Sequence, residues 1–145
     1  MIIGFYKKKI ISHDDKRGFF REIFHSNKNK SIRQVSHSKI KRNIIKAWHI
    51  HKKQYQWNYL LTGSIDVFLY DLRKDSKSYK KKIYLKINAK NRIIYFFPPG
   101  VAHGYITKSK VNHMIYGTSG FYDIKEEYKI DLVNNIIPNY FKKNH

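Results

Sequence analysis

Three histidines are spaced so that their side chains can meet. His49-Ile50-His51 lies beside Trp48, and on an extended strand residues two apart project to one face, so both imidazoles point the same way. Gln56 and then Gly63 follow, a polar side chain and a turn residue. Downstream, Pro98-Pro99-Gly100-Val101-Ala102-His103 sets a third histidine just past a forced turn. Such a cluster has two chemical uses. As metal ligands, His49, His51 and His103 would offer three imidazoles to Zn, Fe, Mn or Ni, with Gln56 a poor fourth. As acid–base groups they need only titrate near neutrality and reach a substrate proton. A plainer role for His103 is to hydrogen-bond backbone inside the fold. Two neighbouring inward histidines are costlier to keep without a task.

The elements that must position these residues read as strands. Val67-Phe68-Leu69-Tyr70, Lys82 to Ile87, Arg92 to Phe97 and His113 to Tyr116 are short β-branched or aromatic runs separated by polar or glycine-bearing turns. Thr62-Gly63-Ser64 reads as a hairpin turn and Asp71 to Ser76 as a polar loop. No window carries a helical stripe and no internal repeat is evident. Many short strands at regular spacing predict an all-β sandwich or barrel, which manages its own edges. The chain, 145 residues long, suits one domain with a proper core. Trp48 and Trp57 are expected in the core or a pocket wall, and His13, His25, His37, His113 and His145 on the surface or in loops.

The histidine spacing H-x-H, a polar residue, a glycine, then P-x-G-x-x-H resembles the two-part cupin signature, at His49, His51, Gln56, Gly63, Pro98, Gly100 and His103. A single cupin domain, a jelly-roll β-barrel, is the fold this implies. It would have an N-terminal strand arm over about 1–30, a barrel core over about 31–122 and a C-terminal tail over about 123–145, as a short helix or an extended segment. From about Asp15 to Asp131 the chain is also similar to the dTDP-4-dehydrorhamnose 3,5-epimerase family. Asp15-Lys16-Arg17-Gly18-Phe19-Phe20-Arg21-Glu22 matches D-x-R-G-x-F-x-E, and Gln34 to Ser38 resembles Q-x-N-x-S. Lys46-Ala47-Trp48-His49 stands at R-G-L-H, Gly63 to Ser76 at G-x-x-x-D-V with D-x-R-x-x-S, and Pro99 to Tyr105 at P-x-G-x-A-H-G-F.

What the resemblance implies is a proton-transfer isomerase with no metal or redox cofactor. His49 would be the general base beside a 4-keto group, Tyr116 the acid on the opposite face, and Tyr122 part of the sugar pocket. Arg17, Phe20 and Glu22 would contact the nucleotide, often from the neighbouring subunit of a homodimer, and Arg73 would help with phosphate. Gln34, Lys46, His51, Gln56 and His103 complete the expected substrate site. The family's S-x-K-D segment, whose aspartate pairs with the catalytic histidine, has no counterpart here, and Gln56 replaces a lysine thought to hold the enolate. Lys46 replaces an arginine and loses its bidentate fork. The short length, Lys46-Ala47-Trp48-His49 and the Asn135 to Tyr140 ending resemble a short epimerase-like branch. The His49-x-His51 pair also resembles the 3,4-ketoisomerases, another branch of sugar cupins. A metal-binding cupin and a non-catalytic sugar-nucleotide-binding barrel complete the alternatives.

Composition narrows the classes further. Hydrophobic residues make up 41% and aromatics 16%, which excludes a disordered chain. Without cysteine there is neither a disulfide nor a thiolate metal site, as suits a reducing compartment. Neither a signal-peptide core nor a membrane-length apolar run is present, so a soluble, cytoplasmic protein is expected, with no membrane partner. Thirty Lys and Arg against ten Asp and Glu give a net charge of +20. Such a charge steers anions inward. Lys, Asn and Ile rise together as AT-rich coding would make them, and the lysines are scattered; no recognised nucleic-acid motif accompanies them. A nucleotide-sugar, rather than nucleic acid, is the expected partner.

Overall fold

The computed structural model describes residues 1–26 and 29–141. Its β-branched and aromatic runs become β1 (Tyr6–Lys9), β2 (His13–Asp15), β3 (Gly18–Phe20), β4 (Gln34–Lys41), β5 (Ile45–His51) and β6 (Gln56–Thr62). After the Gly63 turn come β7 (Ser64–Asp71), β8 (Lys82–Asn88), β9 (Ile93–Phe97), β10 (Val101–Thr107), β11 (Val111–Thr118) and β12 (Glu127–Lys129). A single 3-10 turn, Ala89–Asn91, is the only helical element among the described residues. None is therefore long and apolar enough to cross a membrane.

Two five-stranded sheets, β1-β9-β6-β11-β4 and β12-β5-β10-β7-β8, pack as a jelly-roll barrel, while β2 and β3 form a separate hairpin. Every pairing is antiparallel, so side chains alternate between the barrel interior and its outside. Leu60, Tyr95, Phe97 and Met114 of the first sheet meet Val67, Leu69, Leu85 and Ile87 of the second to fill part of the interior. Gly63 turns β6 into β7 at φ +93, where a Cβ would collide with the Asn112 side chain. The polar loop after β7 is pinned by Arg73, which forks onto the buried Asp71 carboxylate at 2.9 and 2.7 Å and also reaches the Ile3 carbonyl. The histidines expected at the surface are there: His13 and His25 are exposed, and His37 and His113 sit on β4 and β11, hydrogen-bonded to each other at 2.8 Å. His145 lies outside the described residues.

β5 sets up the site. Its Trp48 and Ile50 face outward and are covered by Ile137, Tyr140 and Phe141 of the C-terminal segment, while His49 and His51 face the interior. Among the described residues, the segment 123–141 is irregular and extended rather than helical, and β12 within it adds an edge strand beside β5, with Glu127 opposite His51 and Lys129 opposite His49. Its weak sequence pattern follows from this: it contributes one short edge strand, then isolated anchors rather than a periodic face. Ile137 is buried against Trp48 and Ile50. Ile137→Ala is expected to cost about 3 kcal/mol, the usual range for a fully buried isoleucine. A lowered urea midpoint at unchanged slope would register it.

Candidate active site

A cavity of about 590 Å³ opens between the sheets at the end where polar side chains replace the apolar core. Eight of the residues expected from sequence line it: His49, His51 and Lys46 from β5, Gln56 from β6, His103 from β10, Gln34 from β4, Tyr116 from β11 and Tyr122 just beyond. Lys46 joins His49 on the inner side, although an even alternation would separate them, because the β5–β10 register shifts between them. The strands thus bring the proposed base and acid to the two facing sheets, His49 on one and Tyr116 on the other.

Four expected residues lie elsewhere. Arg17 and Phe20 line a shallow concavity on the β2–β3 hairpin, where Arg17 is exposed and forked onto Asp15. Phe20 is 63% exposed, and Glu22 is an exposed neighbour of His25. Arg73 does not line the cavity and is committed to Asp71. Burial alone would raise the Asp71 carboxyl, but hydrogen bonds from Arg73 and Ser78 hold it below the ordinary carboxylate range. Neither Asp66 nor Asp71 approaches His49: Asp66 faces Lys108 at 3.3 Å.

The partner of His49 is a residue that sequence reasoning did not single out. His49 Nδ1 is hydrogen-bonded to Glu127 Oε1 across the β5–β12 edge. With Nδ1–H donating to the carboxylate, Nε2 keeps its lone pair for the cavity. A second pair lies beside the first: His51 Nδ1 meets Glu126 Oε2 at 2.7 Å. Glu126 Oε1 in turn accepts from the Lys53 and Gln54 backbone N–H groups, both at 2.8 Å. Although burial opposes ionisation, these bonds and His51 keep the Glu126 carboxyl below its ordinary value. The one available signal was compositional, since Glu126-Glu127 is a doublet in a chain with only ten acidic residues. Asn58, Gln54 and Tyr105 are further cavity residues that went unnoticed. Burial, then the neighbouring Tyr116, pushes the Tyr105 phenol up to about 12, which keeps it a neutral hydroxyl.

His103 stacks between the other two imidazoles, 5.9 Å from the His49 ring and 5.4 Å from that of His51, with Phe97 at 4.4 Å. Its Nδ1–H points at the Val101 carbonyl, 3.4 Å away. Burial first, then repulsion from His51 and His49, drives its pKa well below the ordinary 6.5, so it is neutral at physiological pH. Both ring nitrogens of His51 are engaged, the second by Gln56 Oε1 at 2.9 Å, and no group of three or more His, Cys, Asp or Glu among the described residues is arranged to hold a metal ion. The depressed His103 has a consequence for stability. Between its folded pKa and 6.5 the unfolded chain binds more protons, so stability is full above 6.5 and falls as pH drops below it. Urea midpoints from pH 7 to 5 are expected to decline in the wild type. His103→Asn should remove up to one proton's share of that slope, roughly 1.4 kcal/mol per pH unit.

Comparison with known proteins identifies the family and the fold. The sequence model of the dTDP-4-dehydrorhamnose 3,5-epimerase family matches residues 2–138. The spore coat polysaccharide biosynthesis protein SpsL of Bacillus subtilis is 40% identical over 107 residues, covering 72% of this chain and 71% of its own. The dTDP-4-dehydrorhamnose 3,5-epimerase of Salmonella typhimurium is 25% identical over 123 residues, covering 78% and 67%. Among solved structures, a dTDP sugar isomerase from Desulfovibrio desulfuricans superposes with a TM-score of 0.86 at 18% identity, over 94% of this chain and 90% of that one, a likeness of fold. With a family match across nearly the whole barrel, and a histidine–carboxylate pair and a tyrosine on opposite walls of its cavity, this chain belongs to the dTDP-4-dehydrorhamnose 3,5-epimerase family.

Proposed function

We propose that the protein epimerises a dTDP-linked 4-keto-6-deoxyhexose at C3, C5 or both, in the cytoplasm, as a step in making a surface-polysaccharide sugar. The observation that carries this reading is the His49–Glu127 pair, which leaves one imidazole lone pair facing the cavity, opposite Tyr116. His49 Nε2 takes the proton from a carbon next to the ketone. The C–H bond breaks and its electron pair moves onto the carbonyl oxygen as an enolate. Tyr116 O–H then protonates that carbon from the other face, and the centre is inverted. Exchange with water returns the proton to the phenolate and takes one from the imidazolium.

Gln34, Lys46 and Tyr122 would hold the nucleotide-sugar at the cavity mouth; Gln34 Oε1 accepts from the Tyr122 backbone N–H at 2.9 Å and so fixes that rim. The exposed Phe19 and Phe20 on a hairpin apart from the chain's own cavity support a homodimer, in which Arg17, Phe20 and Glu22 complete the partner's site. The test is incubation with dTDP-4-keto-6-deoxyglucose in D2O, following the sugar C–H signals by NMR. Deuterium entering at C3 or C5 is the expected result. A protein that binds dTDP and exchanges neither position on this sugar would count against the reading.

A further inference from the structure

The two histidines of β5 are not equivalent, and a chain of hydrogen bonds distinguishes them. The Tyr95 backbone carbonyl can only accept, so the Asn58 group facing it at 3.3 Å is the amide Nδ2. Asn58 Oδ1 must then face Gln56, and it accepts from Gln56 Nε2 at 2.7 Å. That turns Gln56 Oε1 towards His51 Nε2, at 2.9 Å, as an acceptor. On the other side of the ring, the ionised Glu126 carboxylate is also acceptor-only, its second oxygen already taken by two backbone N–H groups. His51 therefore sits between two acceptors and satisfies both only by carrying a proton on each nitrogen. Buried and fully engaged, it has no lone pair with which to act as a base.

We propose that His51 is a fixed imidazolium, held doubly protonated by Glu126 and Gln56, and that it supplies the positive charge against which the enolate forms. This rests on the epimerase reading of the cavity. His51 and His49 lie on the same wall, two residues apart, each stacked on His103, so the cation lies beside the carbon that His49 deprotonates. The charged and titratable groups nearest it are Glu126 and Glu127 from the C-terminal segment, His49 on its own strand and His103 from β10; Lys46, Lys129, Asp123 and a set of tyrosines that includes Tyr116 line the same cavity. Neutral His103 and the two carboxylates leave room for one fixed imidazolium without a second positive ring in contact. With both N–H groups committed to Glu126 and Gln56, a preorganised cation in the cavity wall acts on developing oxyanion charge through its field, without reorganising during the reaction. The same protonation removes the second base that a proton shuttle between adjacent carbons would need.

Side-chain 1H–15N NMR of the ligand-free, 15N-labelled protein tests the charge without any substrate. His51 is expected to keep both ring N–H protons at pH 8, where an unperturbed imidazole with pKa near 6.5 has lost one. Glu126→Gln should leave it with one. A singly protonated His51 in the wild type at pH 8 overturns the proposal. The catalytic part is read from deuterium exchange into the 4-keto sugar. E126Q and H51Q are each expected to slow it by about 10²-fold, the usual loss for one oxyanion-stabilising group. The double variant H51Q/Q56K, which puts an ammonium where Gln56 now touches His51, should regain at least ~10-fold over H51Q alone, a modest part of such a loss. Wild-type exchange in E126Q with a neutral His51 would refute the electrostatic role. A doubly protonated His51 in a protein inert towards every 4-keto sugar would instead overturn the epimerase reading and, with it, the enolate role.

Discussion

His49→Ala is expected to stop deuterium entering the sugar ring, with a loss of about 10³-fold or more, within the range that a positioned general base contributes. The argument is one of position and tautomer. His49 Nδ1 is held by Glu127, so Nε2 is the nitrogen left to accept a proton, and it faces the cavity. Neither neighbouring imidazole is an equal substitute. Burial and the adjacent histidines hold the His103 pKa well below the ordinary value, which makes it a weak base, and both nitrogens of His51 are occupied. Tyr116→Phe makes the complementary test. With the base intact and the acid gone, His49 can return only to the face from which it took the proton. Deuterium should then enter C3 or C5 without inversion, while formation of the epimer falls by about 10²-fold. Equal loss of exchange and inversion in Tyr116→Phe would mean that the tyrosine assists abstraction. Undiminished exchange in His49→Ala would take the base away from β5 altogether.

Most of the barrel and the centre of the site were legible in the sequence, because period-2 patterning is a local property that survives folding. Along β5 the alternation Trp48, His49, Ile50, His51 already separates an outward apolar face from an inward polar one. The Pro-Pro-Gly turn before His103 and the Gly63 turn after β6 are local backbone requirements of the same kind. What was not legible depends on contacts distant in sequence. Glu127 meets His49 only because β12 adds to the edge of a sheet beside a strand 78 residues earlier, and a strand of three residues leaves almost no periodic trace. Arg73 misleads for the opposite reason. Its motif, Asp71 to Ser76, is local and easily read, but the carboxylate that takes the guanidinium is the motif's own Asp71, buried at the end of β7. The Asn58–Gln56–His51 chain is likewise invisible in one dimension, since its direction is set by a backbone carbonyl on the neighbouring strand.

Glu127→Gln is expected to reduce kcat by about 10³-fold, with KM changed no more than a few-fold, the pattern of a group that orients a catalytic histidine without binding substrate. The substitution keeps the size and shape of the side chain and replaces an acceptor by a group that can also donate. An amide N–H directed at His49 Nδ1 would favour the tautomer with its proton on Nε2, the nitrogen that must be free to act. It also removes the negative charge that stabilises the imidazolium once the substrate proton has arrived. Glu127→Asp keeps the charge but shortens the reach by one methylene, so its loss should be smaller than that of the amide. Backbone pairing of β12 with β5 does not depend on the carboxylate, so E127Q should unfold at the wild-type urea midpoint. That separates it from Ile137→Ala, which loosens the segment covering Trp48 and should lower stability and kcat together as β12 leaves the sheet edge. Wild-type kcat in a folded E127Q would mean that His49 takes its tautomer from another neighbour. A loss confined to KM would make Glu127 a substrate contact. The C-terminal segment of this barrel is thus expected to serve two ends with one structure, covering the outer face of β5 while delivering to its inner face the carboxylate that makes His49 a base.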